Sequence, residues 1–268
     1  MSTPDSEVTA GSCPVQGVPD FWEQVAEARE VLLMLDYDGT LAPFRVNRME
    51  ALPLDGVVEA LEAIRDSERT RLAIVTGRPL AELIALTGDL GIPMAGSHGF
   101  EFLRPGGAIE QAELTRAQDE RLESAVAEAR AASAGARVER KPASVGLHTR
   151  GMAAEAAREL EEAVGAVWSI GSNELGLECR RFSGGVELRL GGMDKGIAVK
   201  RLIAKMPDAT LCVYAGDDQT DEDAFGALPE SGIGVRVGPS GVRTKARGRL
   251  DDPFAVREFL RTWLRVRT

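Results

Sequence analysis

The sequence predicts an α/β protein: a parallel sheet wound on both faces, interrupted by a smaller sheet with helices on one face. Three observations predict it. Short apolar runs alternate with helical patterns, as in parallel sheets with crossover helices. The runs ending at Asp36, Thr76 and Gly216 are almost continuously apolar, as strands buried on both faces are. From Gly106 to Leu190 the rhythm changes to helix, strand pair, helix, strand pair.

Each element follows from its residues. Met1 to Asp20 is small and polar with Gly and Pro, and reads as a loose tail. Core strands are predicted at 31–36, 71–76, 93–96, 211–216 and 232–237. Core helices are predicted at 55–67, 79–88, 194–204, 221–227 and 253–265. In the interrupting segment, Thr115 to Ala132 is rich in the strong helix formers Ala, Glu and Arg. Arg137–Lys141 and Ser144–Thr149 read as a strand pair, and Met152 to Val164 as a second helix. Leu175–Arg180 and Gly185–Leu190 read as a second pair, turned at Ser183-Gly-Gly. The division is therefore a tail (1–20), a core in two pieces (21–105 and 191–268), and an insertion (106–190).

Composition narrows the function. A chain of 268 residues suits one large domain or two small ones. Its net charge of −10, with no basic patch, argues against nucleic acid as a partner. No apolar run is long enough to span a membrane, and the N-terminus lacks the apolar centre of a signal peptide. The three cysteines, Cys13, Cys179 and Cys212, have neither metal nor disulfide spacing. The expectation is a cytoplasmic protein without membrane partners, a monomer or else a dimer.

The chemistry concentrates at strand ends. Val31-Leu-Leu-Met-Leu runs into Asp36-Tyr-Asp38-Gly-Thr. Side chains two apart on a strand point the same way, so Asp36 and Asp38 meet where open α/β sheets bind ligands. Two close carboxylates repel, and the site favours a cation or a shared proton. Mg²⁺ suits oxygen ligands that include a phosphate. The competing reading is a solvated Asp-Gly turn. Thr76-Gly77-Arg78 ends a second apolar run and has the makings of an anion site. Lys195 opens an amphipathic helix. Gly216-Asp217-Asp218 ends another strand, with Asp221, Glu222 and Asp223 at the helix start that follows, where acids are ordinary capping residues.

The order Asp-x-Asp-Gly-Thr, Thr-Gly-Arg, Lys-Gly, Gly-Asp-Asp-x-x-Asp resembles the four motifs of the haloacid dehalogenase-like (HAD) phosphatases. Within that superfamily the chain is similar to the trehalose-6-phosphate phosphatase family from about Phe21 onward. The narrower resemblance rests on Leu35-Asp-Tyr-Asp-Gly-Thr-Leu-Ala-Pro43, His98-Gly-x-Glu101, Glu139-x-Lys141, His148-x-Arg150, Val186-Glu187-Leu-Arg189 and Gly216-Asp-Asp-x-Thr-Asp-Glu-Asp223. It departs from the family pattern at Thr149, where an aromatic is common, and at Ser97.

The resemblance implies a HAD-like Rossmannoid core with an inserted αββαββ cap that closes over the substrate. It implies Mg²⁺-dependent hydrolysis of trehalose 6-phosphate. Asp36 is then the nucleophile that forms an aspartyl-phosphate, and Asp38 the acid and base. Thr76, the Gly77 N–H and Lys195 hold the phosphoryl oxygens. Asp36, the Asp38 carbonyl and Asp217 bind the metal, with Asp218 and Asp221 around them. Arg78, His98, Glu139, Lys141 and Glu187 are the expected substrate contacts. For Arg78 the alternative is pairing with acids, and for the three cap residues a solvated strand face. His148 reads as structural, and Trp168 and Phe182 as cap core. Other sugar phosphates (sucrose 6-phosphate, mannosyl-3-phosphoglycerate, glucosylglycerol phosphate) are the alternative substrates, and a non-catalytic sugar-phosphate sensor is the alternative class. The length implies a phosphatase without a fused glycosyltransferase.

Overall fold

The computed structural model describes residues 13–133, 135–182 and 184–267. The main sheet has eight strands in the order β12-β11-β10-β1-β2-β3-β4-β5. These are β1 (Val31–Leu35), β2 (Arg71–Val75), β3 (Met94–Gly96), β4 (Glu101–Leu103), β5 (Ile109–Gln111), β10 (Leu211–Gly216), β11 (Ile233–Val237) and β12 (Gly248–Leu250). The strands from β12 to β3 run parallel, β4 runs antiparallel to β3, and β5 antiparallel to β4. Between β5 and β10 the chain forms a second sheet in the order β6-β7-β9-β8. Its strands are β6 (Arg137–Lys141), β7 (Ser144–His148), β8 (Leu177–Phe182) and β9 (Gly185–Leu190). The fold is the α/β arrangement that the sequence predicts.

The all-apolar β1 is resolved by its two faces. Val31, Leu33 and Leu35 join one core cluster, while Leu32 and Met34 join the other. The first cluster lies under α1 (Phe21–Glu27), α2 (Val57–Asp66), α3 (Leu80–Thr87) and α8 (Pro253–Arg267). The second lies under α6 (Lys195–Ile203) and α7 (Asp221–Phe225). Each Leu, Val or Phe so buried contributes about 1.5–3 kcal/mol. The small sheet packs on α4 (Arg116–Ala132) and α5 (Ala154–Ser169) through a third cluster around Trp168. Thr115 and Gln118 form a reciprocal capping box that starts α4.

The three-residue strands β4 and β12 are absent from the sequence reading, and three further differences have local causes. Residues 1–12 of the expected tail lie outside the described residues, but 13–20 are packed. Val15 and Val18 are buried, and Gln16 bridges to Arg249. Helix α1 was not predicted, because its short pattern shows its purpose only against α8. There Phe21 and Trp22 pack on Phe259 with ring centroids 5.5 and 5.2 Å apart. Strand β5 lies past residue 106 and is fully exposed, so no apolar signal marks it. Of the turn read at Ser183-Gly-Gly, Ser183 lies outside the described residues.

Among the described residues no helix is long and apolar enough to cross a membrane. The chain order leaves β1 central, with β2 and β3 on one side and β10 to β12 on the other. That reversal places a crevice at the carboxyl end of β1, the position where such sheets bind ligands.

Candidate active site

Asp36 follows directly from β1, and its backbone N–H still donates to Ala215 (2.9 Å). The carboxylate is thus placed by the sheet itself. Lys195, the first residue of α6, reaches it from above: Nζ lies 2.8 Å from Asp36 Oδ1 and 2.8 Å from Asp221 Oδ1. Asp194 caps that helix by accepting from the Ile197 N–H, which fixes where the lysine emerges. Tyr214 Oη donates to Asp221 Oδ1 (2.6 Å) and the Asp218 N–H to its Oδ2 (2.8 Å). Asp221 is therefore satisfied on both oxygens, and it is completely buried.

Asp36, Asp217 and Asp221 bring one carboxylate oxygen each within 4.8 Å of one another. Burial and the Asp221 charge push the Asp36 carboxyl up to about 7, against the pull of Lys195. Burial and the charges of Asp36 and Asp221 likewise raise Asp217 well above the usual carboxylate range. Asp217 Oδ1 is buried with no hydrogen-bond partner among the described residues. A cluster so placed, with an orphaned oxygen, fits a hard divalent cation. Gly39 makes room for it: its φ is +75°, and a Cβ there would lie 2.3 Å from Asp217 Oδ2.

The second carboxylate has a different neighbour. Arg78 Nε and Nη2 donate to Asp38 Oδ2 and Oδ1 at 2.6 and 2.7 Å, and Nη2 also donates to the Arg48 carbonyl. Arg78 is 4% exposed. Arg78 thus pairs with an acid, clamping Asp38, and it also lines the cleft. Thr76 is buried at the adjacent strand end, its backbone N–H donating to Ala95 and its Oγ1 accepting from the Arg78 N–H.

His98 sits against this turn. A Cβ on Gly77 would come within 2.6 Å of the His98 ring. Across the cleft, His98 Nε2 lies 3.3 Å from Glu187 Oε2 on β9. Glu187 also accepts from Lys141 Nζ (2.8 Å) and Ser144 Oγ (2.8 Å). Burial alone would raise the Glu187 carboxyl, but Lys141 and His98 outweigh it and hold it well below the usual range. Burial pushes His98 down despite Glu187.

One cleft is lined by Asp36, Asp38, Thr76, Gly77, Arg78, His98, Lys141, Glu187, Lys195, Asp217 and Asp218. Asp221 lies beneath the surface, as a residue behind the metal ligands would, and Glu139, an expected substrate contact, is absent from the lining, its carboxylate paired with Arg48 and His148. Arg48 also pairs with Glu82. Phe182, read as cap core, instead lines the cleft beside His148 (ring centroids 5.3 Å). It ends an edge strand, where one face stays open; Trp168 is buried as expected.

Sequence reasoning missed Phe44, Arg45, Arg48 and Arg137, which also line the cleft. They come from a loop and a strand start with no motif to mark them. Arg137 donates to the Val46 carbonyl (3.4 Å), and the Arg150 guanidinium stacks on Phe44 at 4.3 Å. Arginines thus gather at the mouth from both sheets. Burial together with Lys141, Arg137 and Arg48 pushes His148 down to about 3, which favours the neutral imidazole beside Glu139. This is a positive collar on a protein of net charge −10.

A family model described as trehalose-phosphatase matches residues 34–253. An uncharacterised glycosyl hydrolase of Mycobacterium tuberculosis is 35% identical over 273 residues, covering 94% of this chain and 20% of that protein. A trehalose-phosphate phosphatase of Mycobacterium marinum is 34% identical over 238 residues, covering 85% of this chain and 60% of that protein. The chain therefore spans less than two thirds of the length of either relative. The trehalose-6-phosphate phosphatase C-terminal domain of C. albicans superposes with a TM-score of 0.84 at 24% identity, covering 94% of this chain and 97% of that one, and shares its fold.

Proposed function

The chain belongs to the trehalose-phosphatase family, and from that premise and the cleft we propose that it hydrolyses trehalose 6-phosphate to trehalose and phosphate. The observation that carries the reading is that one cleft joins the Asp36–Lys195 floor to the Lys141–Glu187 pair of the small sheet. The floor has the groups for phosphoryl transfer, and the small sheet has charged hydrogen-bonding groups suited to sugar hydroxyls. In this reading the cap that recognises the sugar is the inserted unit from α4 to β9; Ile109–Gln111, which the sequence reading put in the insertion, pairs in the main sheet.

Asp36 attacks phosphorus, forming an acyl-phosphate as the bond to the sugar oxygen breaks. Asp38, oriented by Arg78, gives its proton to that oxygen. It then takes one from the water that attacks the acyl-phosphate, releasing phosphate and restoring Asp36. Thr76, the Gly77 N–H and Lys195 hold the phosphoryl oxygens, which is the larger part of catalysis in such transfers. Asp36, the Asp38 carbonyl and Asp217 would hold Mg²⁺, with Asp218 and Asp221 orienting them. When bound, the ion neutralises charge on the transferring group. No membrane or nucleic acid enters the reaction, and the proposed setting is the cytoplasm.

The test is phosphate release from a panel of sugar phosphates, each with Mg²⁺ and with EDTA. The expected result is a kcat/KM for trehalose 6-phosphate at least about tenfold above the other sugars, lost with EDTA; tenfold corresponds to about 1.4 kcal/mol of discrimination. An equal rate on all sugars would remove the role given to Lys141 and Glu187.

The arginine collar makes a second expectation. Exposed charges steer a dianionic substrate and are screened by salt. Raising ionic strength from about 0.02 to 0.2 M is expected to raise KM several-fold with kcat unchanged. Arg137→Gln is expected to weaken that salt dependence, and an unchanged dependence would show that the collar does not steer.

A further inference from the structure

Glu101 belongs to the His98-Gly-x-Glu motif but has no part in the chemistry above. It is 2% exposed and lies at the start of β4. Its Oε2 accepts from Ser97 Oγ (2.6 Å) and from the Leu80 N–H that opens α3 (3.1 Å). Its Oε1 accepts from Gln111 Nε2 (3.1 Å). All three partners donate, so the position calls for an acceptor.

What Glu101 holds is unusual backbone. Ser97 and His98 are consecutive non-glycine residues in the left-handed region, with φ of 47° and 56°. L-residues rarely adopt this conformation, so neighbouring bonds must enforce it. The Ser97 N–H donates to the Arg78 carbonyl (2.8 Å) and the His98 N–H to that of Thr76 (3.1 Å). The turn thus stands on the phosphate-binding segment and points the His98 ring at Glu187.

We propose that Glu101 is a positioning residue for leaving-group recognition. It locks Ser97 and the start of α3 together, so that His98 is held against Gly77 and can dock Glu187. This rests on the assignment of Glu187 to the sugar and adds a residue to it. The phosphate turn has its own supports in Ala95 and the Asp38 clamp. Loss of Glu101 therefore acts on the sugar rather than on the phosphoryl group.

Two variants of similar volume separate acceptor from filler. Glu101→Met removes both oxygens. Glu101→Gln keeps one at the Oε2 position, and Gln111 can turn its amide to meet the new NH₂. Each is assayed with Mg²⁺ on trehalose 6-phosphate and on p-nitrophenyl phosphate, which has no sugar. For Glu101→Met the expected result is a KM for the sugar phosphate raised about tenfold, with p-nitrophenyl phosphate turnover within about threefold of wild type. Glu101→Gln is expected to restore the sugar phosphate KM to within about threefold. Amide exchange at Ser97 and His98 is read alongside, in the absence of substrate, and is expected to quicken at least about tenfold in Glu101→Met alone.

Unchanged exchange and KM in Glu101→Met would overturn the proposal. So would an equal loss on both substrates, which marks general damage to the fold. Wild-type turnover of trehalose 6-phosphate judges the substrate separately. If that substrate fails, the exchange rates still decide whether Glu101 holds the turn.

Discussion

Asp36→Asn is expected to lower turnover by at least about 10⁴-fold, the order found when a nucleophile is removed, while leaving the fold intact. The amide cannot form the acyl-phosphate, and it is nearly the same size as the acid. Stability without metal is expected to hold or rise, because one of three crowded carboxyl groups loses its charge. The pH dependence gives the sign. The Asp36 carboxyl titrates near 4 in an unfolded chain and is pushed up to about 7 in the fold. Between those values the folded state binds more protons, so metal-free wild type loses stability as pH rises from about 4 to 7. Asp36→Asn is expected to lack this contribution. Urea unfolding in EDTA across that range measures it, and turnover of the variant near the wild-type rate would refute the nucleophile.

Lys195→Met is expected to cost both activity and stability. Lys195 is 3% exposed and pairs with two buried carboxylates, Asp36 and Asp221. Their charges raise the ammonium above its ordinary value even though burial opposes it. Removing one partner from such a group typically costs about 3–5 kcal/mol, because the remaining charges stay buried. Turnover is expected to fall by at least about 10²–10³-fold through loss of a preorganised donor to the phosphoryl oxygens. Mg²⁺ is expected to restore part of the stability by neutralising the same carboxylates, but not the turnover. Thermal unfolding with and without Mg²⁺ checks the first point and single-turnover kinetics the second. A variant as stable as wild type in EDTA would mean that the carboxylates take up protons at no cost.

The motifs were legible because they sit where strands end. Asp36, Thr76, Lys195 and Asp217 each follow from an apolar run or open an apolar-periodic helix, and parallel strands bring their carboxyl ends to one crevice. Glu187 and Lys141 were legible as family signatures, and their ion pair is a diagonal across the small sheet, Glu187 being level with Gly146 and Lys141 with Ser144. Arg48 and Arg137 were not, since their only signal is where a loop and a strand start come to lie. Glu139 carries the same charge as Glu187, but it lies on the edge strand β6 and pairs with Arg48 and His148, whereas Glu187 lies on the internal strand β9 and pairs with Lys141. Local sequence cannot distinguish the two.

The sequence by itself determined the parallel core and the interrupting αββαββ unit, which rest on short-range physics: hydrophobic periodicity, capping and turn residues. The proposed phosphoryl-transfer groups came from the order of the family motifs at the strand ends. Only the tertiary structure decided that Arg78 clamps Asp38, that Asp221 lies satisfied beneath the floor, that residues 13–20 pack on the core, and that Ser97 and His98 take a left-handed turn. Each of these needs at least one contact between segments distant in the chain, such as Lys195 with Asp221 or His98 with Thr76, and its energy exists only once the chain has brought both partners out of water together.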